Sequence, residues 1–203
     1  LGITKVFSLQ FPHIWAKTDT KILWIKNSFP PDRYAPSVSQ IRITVVCLGN
    51  ICRSPIAEAV VRDRLAKAGL ESAVTVDSAG TGDWHIGYPA DPRAAATITQ
   101  FGYELDHQAR QINSTWFDAI DLVLAMDTEN FKNLQVMLNE SGTDTELRMF
   151  RSFDPALAQF SDPSSELDVP DPYYGGEESF VLVLKMIEDA ADGLVAHLQQ
   201  QIN

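Results

Sequence analysis

The chain predicts an α/β fold built on a parallel sheet with helices on both faces. Three observations carry this. Strand-like and helix-like runs alternate from Ile41 onward, the first strand is a continuous β-branched run, and the last helix has an apolar stripe at helical spacing. Ile41 to Val46 suits a strand buried on both faces. Pro55 then stands where a helix begins, with Ser54 as its expected N-cap; Ala57, Val61, Leu65 and Ala68 follow at helical spacing, and Gly69 stops the run. Val74-Thr75-Val76 predicts a second strand. Ala94, Ile98 and Phe101, closed by Gly102, predict a weaker helix. Ile120 to Ala125 is the third strand, Phe131, Leu134 and Leu138 mark a helix, and Glu146 to Phe150 is the last strand. Phe180, Leu184, Ile187, Ala191, Leu194 and Leu198 define the final helix, with Glu177 and Glu178 in its first turn, where the helix dipole favours them.

The chain has 203 residues, 45% of them hydrophobic and 21% charged, ordinary for one globular domain plus an appendage. Its net charge of −11 is uneven: residues 1–40 carry +3 and residues 41–203 carry −14. An acidic body repels nucleic acid and anionic membrane, so neither is expected as a partner, and an anion site must win locally. Residues 1–40 mix Phe7, Phe11, Trp15 and Trp24 with lysines and end in Pro-rich segments. They are expected to be an N-terminal leader or linker, disordered or loosely docked, ahead of a domain at 41–203. A membrane-surface or partner-docking role for Trp15 and Trp24 is the weaker alternative, because the aromatics keep no helical period. No apolar run approaches the roughly 18–20 residues of a membrane span, and no secretory signal is recognisable. Two cysteines, Cys47 and Cys52, are too few for a disulfide-built domain, which favours a cytoplasmic location.

Both cysteines lie in Val46-Cys47-Leu48-Gly49-Asn50-Ile51-Cys52-Arg53-Ser54-Pro55. In an open parallel sheet, ligands bind beyond the carboxyl ends of strands, and Cys47 lies at such an end. The loop to the next helix can aim successive N–H groups at an anion, with Gly49 permitting backbone geometry that a side chain would block. Arg53 can grip two phosphate oxygens with its planar fork. That field is expected to lower the Cys47 thiol from ~8.5 into the range of roughly 3.5–7.5. A thiolate there can attack phosphorus and form a thiophosphate, while Ser54 can donate a hydrogen bond to the sulfur. A bare Cys-x5-Arg spacing is weak; the strand before it, the Gly-Asn interior and the Ser-Pro helix start make it specific. Cys52 reads either as packing or as a partner that traps oxidised Cys47 in a disulfide.

The leaving group needs a proton, which a carboxyl on a turn-rich loop can supply. Asp171 lies between Pro170 and Pro172, with Tyr173 and Tyr174 following; Asp91, Asp154 and Asp162 also precede prolines, so local pattern alone leaves the donor open.

Taken together, the Cys47 loop and Asp171-Pro172-Tyr173-Tyr174-Gly175 resemble the low-molecular-weight protein tyrosine phosphatase family over about residues 41–200. The resemblance implies a four-stranded parallel sheet flanked by helices on both faces, with the phosphate-binding loop between the first strand and first helix. It implies Cys47 as nucleophile, Arg53 as phosphate clamp and Asp171 as general acid and then base. It extends substrate binding to Leu48, Gly49, Asn50, Ile51, Cys52, Ser54, Trp84, Tyr173 and Tyr174, with Ser78 and His107 joining Asn50 and Ser54 in supporting the loop. Without it, Ser78 reads as a strand-end turn residue, His107 as a surface histidine and Trp84 as a core aromatic. Asp127 matches a family aspartate near the same site, and a helix N-cap serves equally well as its role. The resemblance implies no metal or cofactor, tyrosine-phosphorylated proteins as partners, and a monomer or weak homodimer.

Two sister activities share the fold. Arsenate reductases of this type relay electrons through cysteines downstream of the loop, and none follows Cys52. Protein-arginine phosphatases carry threonine where this loop has Ile51, whose apolar wall suits a phenyl ring. Tyrosine phosphate is therefore the expected substrate; an arginine phosphatase, or a redox-regulated phosphotyrosine-binding module, is the alternative.

Overall fold

A computed structural model describes residues 40–202, so the leader expected at the N-terminus lies outside the described residues but for Gln40. Four strands pair in parallel: β1 (Ile41–Cys47), β2 (Val74–Gly80), β3 (Leu122–Ala125) and β4 (Glu146–Met149), in the order β2-β1-β3-β4. The helices are α1 (Arg53–Lys67), α2 (Pro92–Gln100), α3 (Thr128–Ser141) and α4 (Glu177–Ile202). The α/β architecture read from the alternating pattern is the one that forms.

The sheet is buried on both faces because its strands are apolar on both. Ile43, Val45 and Cys47 of β1 join one core with residues of α1, α2 and α4, while Val46 joins the other with Phe131, Leu134 and Leu138 of α3. In β3, Leu122 and Leu124 face the first layer, and Val123 and Ala125 face the second. The stripe of α4 seals the first core through Phe180, Leu184, Ile187, Ala191, Leu194 and Leu198. Burying each large aliphatic or aromatic side chain there contributes about 1.5–3 kcal/mol. From β1 the chain passes through α1 to β2 on one side, while β3 pairs on the other side. That reversal opens a crevice beyond the carboxyl end of β1.

Several local expectations change. Ser54 is not the cap of α1. The helix begins at Arg53, Cys52 occupies the N-cap, and no side chain caps it, because the Ser54 hydroxyl is turned toward Cys47 and the carbonyl of Ala79. The first turn keeps its N–H groups for another acceptor. Strand β2 runs on from Val76 to Gly80, so Ser78 is a buried strand residue paired with Val45, not a turn residue. Its small and polar residues hid the strand from a reading based on apolar β-branched runs. Phe101 follows the end of α2 and is exposed; Ala94, Thr97 and Ile98 form the buried face. Strand β3 starts at Leu122, since Ile120 closes the preceding 3-10 turn onto Phe117 O. Strand β4 ends at Met149, where a 3-10 turn takes Phe150.

Gly193 marks the tightest contact of α4. A Cβ there would lie 1.8 Å from Phe153 O, a backbone atom. Gly193→Ala, which would stabilise an isolated helix, is therefore expected to lower stability by about 1–3 kcal/mol. The midpoint of urea unfolding measures it; an unchanged or higher midpoint would contradict the contact.

Candidate active site

Beyond β1 the backbone turns through residues 48–52 before α1 begins. Its carbonyls are drawn outward one after another: Cys47 O accepts from Thr81 N at 2.9 Å, Leu48 O from Gly82 N at 2.8 Å, and Ile51 O from Asp91 N at 2.8 Å. Asn50 O meets His107 Nε2 at 2.7 Å. A trans peptide is planar and holds its N–H opposite its carbonyl. The N–H groups of Leu48, Gly49, Ile51 and Cys52 are thereby directed to the inside of the loop, and the start of α1 adds its uncapped donors. The result is a ring of donors built to take an anion.

Asn50 fixes the ring's shape. It is the residue with positive φ (54°) among the non-glycine residues described, a conformation that asparagine tolerates better than most. Its N–H points at Cys47 Sγ, 3.3 Å away. Its side-chain amide donates to Ser54 Oγ and Ser78 Oγ, both at 2.9 Å, and accepts from Arg110 N at 2.8 Å. Because Ser54 Oγ accepts from Asn50, its own hydrogen is left for Cys47 Sγ at 3.1 Å or Ala79 O at 3.3 Å. Ser78 passes its hydrogen to the buried Glu58, Oε2 at 2.6 Å, and Arg62 holds the other Glu58 oxygen. The carbonyl of Asn50 can only accept, so Nε2 of His107 carries the hydrogen. Far from lying at the surface, the His107 side chain is 5% exposed. Gly80 packs against the ring, where a Cβ would lie 2.7 Å from Leu48 O. That close approach, rather than Gly49, is where the backbone demands a glycine; a Cβ on Gly49 would meet side chains alone, His85 at 3.1 Å and Ile51 at 3.7 Å.

Arg53 lies beneath the crevice, 3% exposed, its guanidinium shared among three acceptors. Nη1 donates to Asp127 Oδ2 and to Val169 O, and Nη2 donates to Asp171 Oδ2 at 2.8 Å. Burial works against the cation, but the charges of Cys47, Asp171 and Asp127 outweigh it and hold Arg53 above its ordinary value. Asp127 fills both roles weighed for it, since Oδ1 caps α3 at Asn130 N while Oδ2 holds Arg53. Cys52 is buried, and burial together with the nearby charges of Asp91, Cys47 and Asp171 pushes its thiol far above the usual range. Both cysteines are free thiols.

A cavity of about 410 Å³ opens over the ring, lined by Cys47, Leu48, Gly49, Ile51, Cys52, Arg53, Trp84, His85, Asp171, Tyr173 and Tyr174. Nucleophile candidate, guanidinium and carboxyl thus share one crevice whose upper walls are aromatic. Trp84 is 66% exposed and Tyr174 95% exposed, so neither is a core aromatic. Asn50 and Ser54, expected among the substrate-binding residues, do not line the cavity; both are fully buried in its support. Sequence reasoning missed His85 in the wall, and Glu58, Arg110 and Arg93 behind it. Asp91 was visible only as one of several Asp-Pro steps, and Arg93 carried no signal. Among the described residues no group of three or more His, Cys, Asp or Glu side chains is placed to hold a metal ion.

A thiol and a guanidinium around a donor ring, at the carboxyl end of a parallel strand, define a site for phosphoryl groups. The family profile described as low molecular weight phosphotyrosine protein phosphatase matches residues 42–203. A low molecular weight protein-tyrosine-phosphatase of Streptomyces coelicolor is 47% identical over 161 residues, spanning 79% of this chain and 95% of that protein. The low molecular weight protein-tyrosine phosphatase A of Mycobacterium tuberculosis is 43% identical over 155 residues, 76% of this chain and 89% of that protein. The crystal structure of a protein tyrosine phosphatase from Entamoeba histolytica superposes with a TM-score of 0.71 at 34% identity, covering 81% of this chain and all (100%) of the other. A Drosophila arginine phosphatase structure reaches a TM-score of 0.68 at 26% identity, over 78% of this chain and 98% of its own. The chain belongs to the low-molecular-weight phosphotyrosine protein phosphatase family.

Asn50 tests the ring directly. Asn50→Ala loses both the amide network and the tolerance for positive φ, whereas Asn50→Gly loses only the first. Binding of inorganic phosphate, measured calorimetrically, is expected to weaken about tenfold or more for Asn50→Ala, roughly 1.4 kcal/mol, and less for Asn50→Gly. Equal losses would mean that the backbone conformation is not part of the site.

Proposed function

We propose that residues 41–203 hydrolyse phosphotyrosine in proteins, and small aryl phosphates, through a cysteinyl-phosphate intermediate. The observation that carries this reading is the meeting of Cys47, the inward N–H groups, Arg53 and Asp171 in one crevice. The sulfur of Cys47 attacks phosphorus and forms the S–P bond as the P–O bond to the phenol breaks. Asp171, as the neutral acid, gives the leaving oxygen its proton. The substrate's dianion competes with Asp171 for Nη2 of Arg53, and taking it frees the carboxyl to face that oxygen. Asp127 and Val169 O keep Nη1, so the guanidinium stays in place during the exchange. In the second step Asp171, now a carboxylate, takes a proton from water. The water oxygen attacks phosphorus, the S–P bond breaks, and inorganic phosphate leaves. The N–H ring and Arg53 stabilise the charge on the three phosphoryl oxygens throughout.

The walls support an aryl substrate. Ile51 and Leu48 below and Trp84, Tyr173 and Tyr174 above offer apolar surface to a flat ring. Relatives described as tyrosine phosphatases reach 47% identity, against 26% for the structure described as an arginine phosphatase. A nucleophile that works only while reduced also supports a cytoplasmic location. Among the described residues no helix is long and apolar enough to cross a membrane.

Cys47→Ser is expected to abolish turnover of a phosphotyrosine peptide. Asp171→Ala should reduce it by about 10²–10⁴-fold, with a smaller loss on p-nitrophenyl phosphate, whose leaving group needs no proton. Steady-state rates on both substrates decide; full activity of Asp171→Ala on phosphotyrosine would refute the assignment. A panel of phosphotyrosine, phosphoserine and phosphoarginine peptides tests the substrate class, and preference for phosphoarginine would overturn it.

A further inference from the structure

Arg93 lies outside the catalytic cavity, yet it touches the start of α2, the acid loop and the first turn of α4. Its guanidinium forms a bidentate pair with Asp91, Nε to Oδ1 at 3.0 Å and Nη2 to Oδ2 at 2.8 Å. The same fork reaches two carbonyls of the acid loop, Nη2 to Tyr173 O at 2.9 Å and Nη1 to Gly175 O at 3.0 Å. It stacks over the Phe180 ring at 4.8 Å, in the first turn of α4, and lies 5.7 Å from the ring of Tyr173. Asp91 is in turn tied to the donor ring, because its N–H donates to Ile51 O at 2.8 Å. One continuous bracket therefore runs from the ring at Ile51, through Asp91 and Arg93, to the backbone two and four residues beyond Asp171.

We propose that Arg93, anchored by Asp91, is a positioning residue for the general acid: it sets the distance between Asp171 and the ring that holds the phosphoryl group. This rests on the role given to Asp171 above. The acid loop holds two prolines and two glycines and makes no strand pairing. Before Asp171 its backbone is held at Val169, whose N–H donates to Met126 O at 2.8 Å and whose carbonyl accepts from Arg53; beyond Asp171, Arg93 holds the carbonyls of Tyr173 and Gly175. Asp171 itself has two tethers, Arg53 Nη2 and the N–H of Tyr173 at 3.2 Å. The phosphoryl group competes for the first when it binds, which leaves the hold of Arg93 beyond Asp171, together with that of Val169 before it, to keep the carboxyl over the leaving oxygen. Arginine alone can make this bracket. A lysine ammonium is a point charge that cannot span a carboxylate and two carbonyls at fixed angles.

A positioning role and a merely structural role separate on the leaving group. Arg93→Met is expected to lower kcat/KM for phosphotyrosine about tenfold or more, because a misplaced catalytic group costs up to roughly 10² in rate. On p-nitrophenyl phosphate, which needs no proton, the loss should stay within about threefold. In an Asp171→Ala background the same change should add no further loss that depends on the leaving group, as expected for two residues acting through one group. Arg93→Lys should fall between parent and Arg93→Met, and it carries the same comparison if the methionine variant does not fold. Equal losses on the two substrates, or losses that add in the Asp171→Ala background, would overturn the proposal. A parent protein that hydrolyses neither substrate would overturn the phosphatase reading itself, which distinguishes the two failures.

Discussion

The site depends on where a few carbonyls point. Between Cys47 and Ile51, backbone oxygens are held outward by Thr81, Gly82, His107 and Asp91, and planar peptides then turn the N–H groups inward. Each of those partners belongs to a segment that the fold has already fixed: the residues just after β2, the N-cap of α2, and the stretch that follows α2. The donor ring is thus a consequence of sheet order. Because β2 lies beside β1 in register, with Cys47 opposite Gly80, the segment after Gly80 runs along the loop and supplies its outer hydrogen bonds. A side chain at position 80 would push that segment away, which ties the ring's geometry to one missing Cβ.

This arrangement also answers how an acidic body binds an anion. The domain carries a charge of −14 over residues 41–203, a field that opposes phosphate at long range. Exposed charges more than about 10 Å apart are screened by salt, whereas buried groups at the site are not. Arg53 is buried and the helix donors are fixed in direction, so the local field prevails over the distant one. The two aspartates on Arg53 raise a different question, since they partly neutralise it. They hold its plane instead: Asp127 grips Nη1 from the cap of α3, and Asp171 holds Nη2 from the acid loop. A buried cation without such partners would carry a desolvation cost of several kcal/mol.

The sheet, its helices and the chemical heart of the loop were legible in the sequence because they rest on local pattern. The β-branched run before Cys47, the period of α4 and the spacing of Cys47 and Arg53 are short-range signals. What was not legible depends on pairing across the chain. The reach of Ser54 toward the sulfur follows from the loop, but its loss as a helix cap does not: tertiary partners outcompete the helix end for its hydroxyl. Ser78 looks like a turn residue, yet register with Val45 buries it beside Glu58. Arg93 follows an Asp-Pro step that signals only a turn, and its partners at 173 and 175 are some eighty residues away. His107, in a segment without periodicity, gave no local sign that it would meet Asn50 O; only the family resemblance pointed to its place in the support.

The two cysteines show how sharply one loop can divide its chemistry. They are five positions apart and both buried, so composition and exposure do not separate them. Their surroundings do. The Cys47 sulfur receives the N–H of Asn50 and lies within reach of the Ser54 hydroxyl, inside the donor ring. Cys52 occupies the cap of α1 on the side facing Asp91, where burial and neighbouring negative charge both oppose ionisation and push its thiol far up. Of the two sulfurs, only that of Cys47 receives a donor, while the surroundings of Cys52 oppose its ionisation. Cys52 also responds to Cys47, because an anion on the first thiol further disfavours one on the second. The same Asp91 that disfavours a thiolate at Cys52 pairs with Arg93, whose guanidinium reaches the acid-loop carbonyls of Tyr173 and Gly175. One carboxylate at the N-terminus of α2 thus faces the thiol of Cys52 on one side and, through Arg93, the backbone beyond Asp171 on the other.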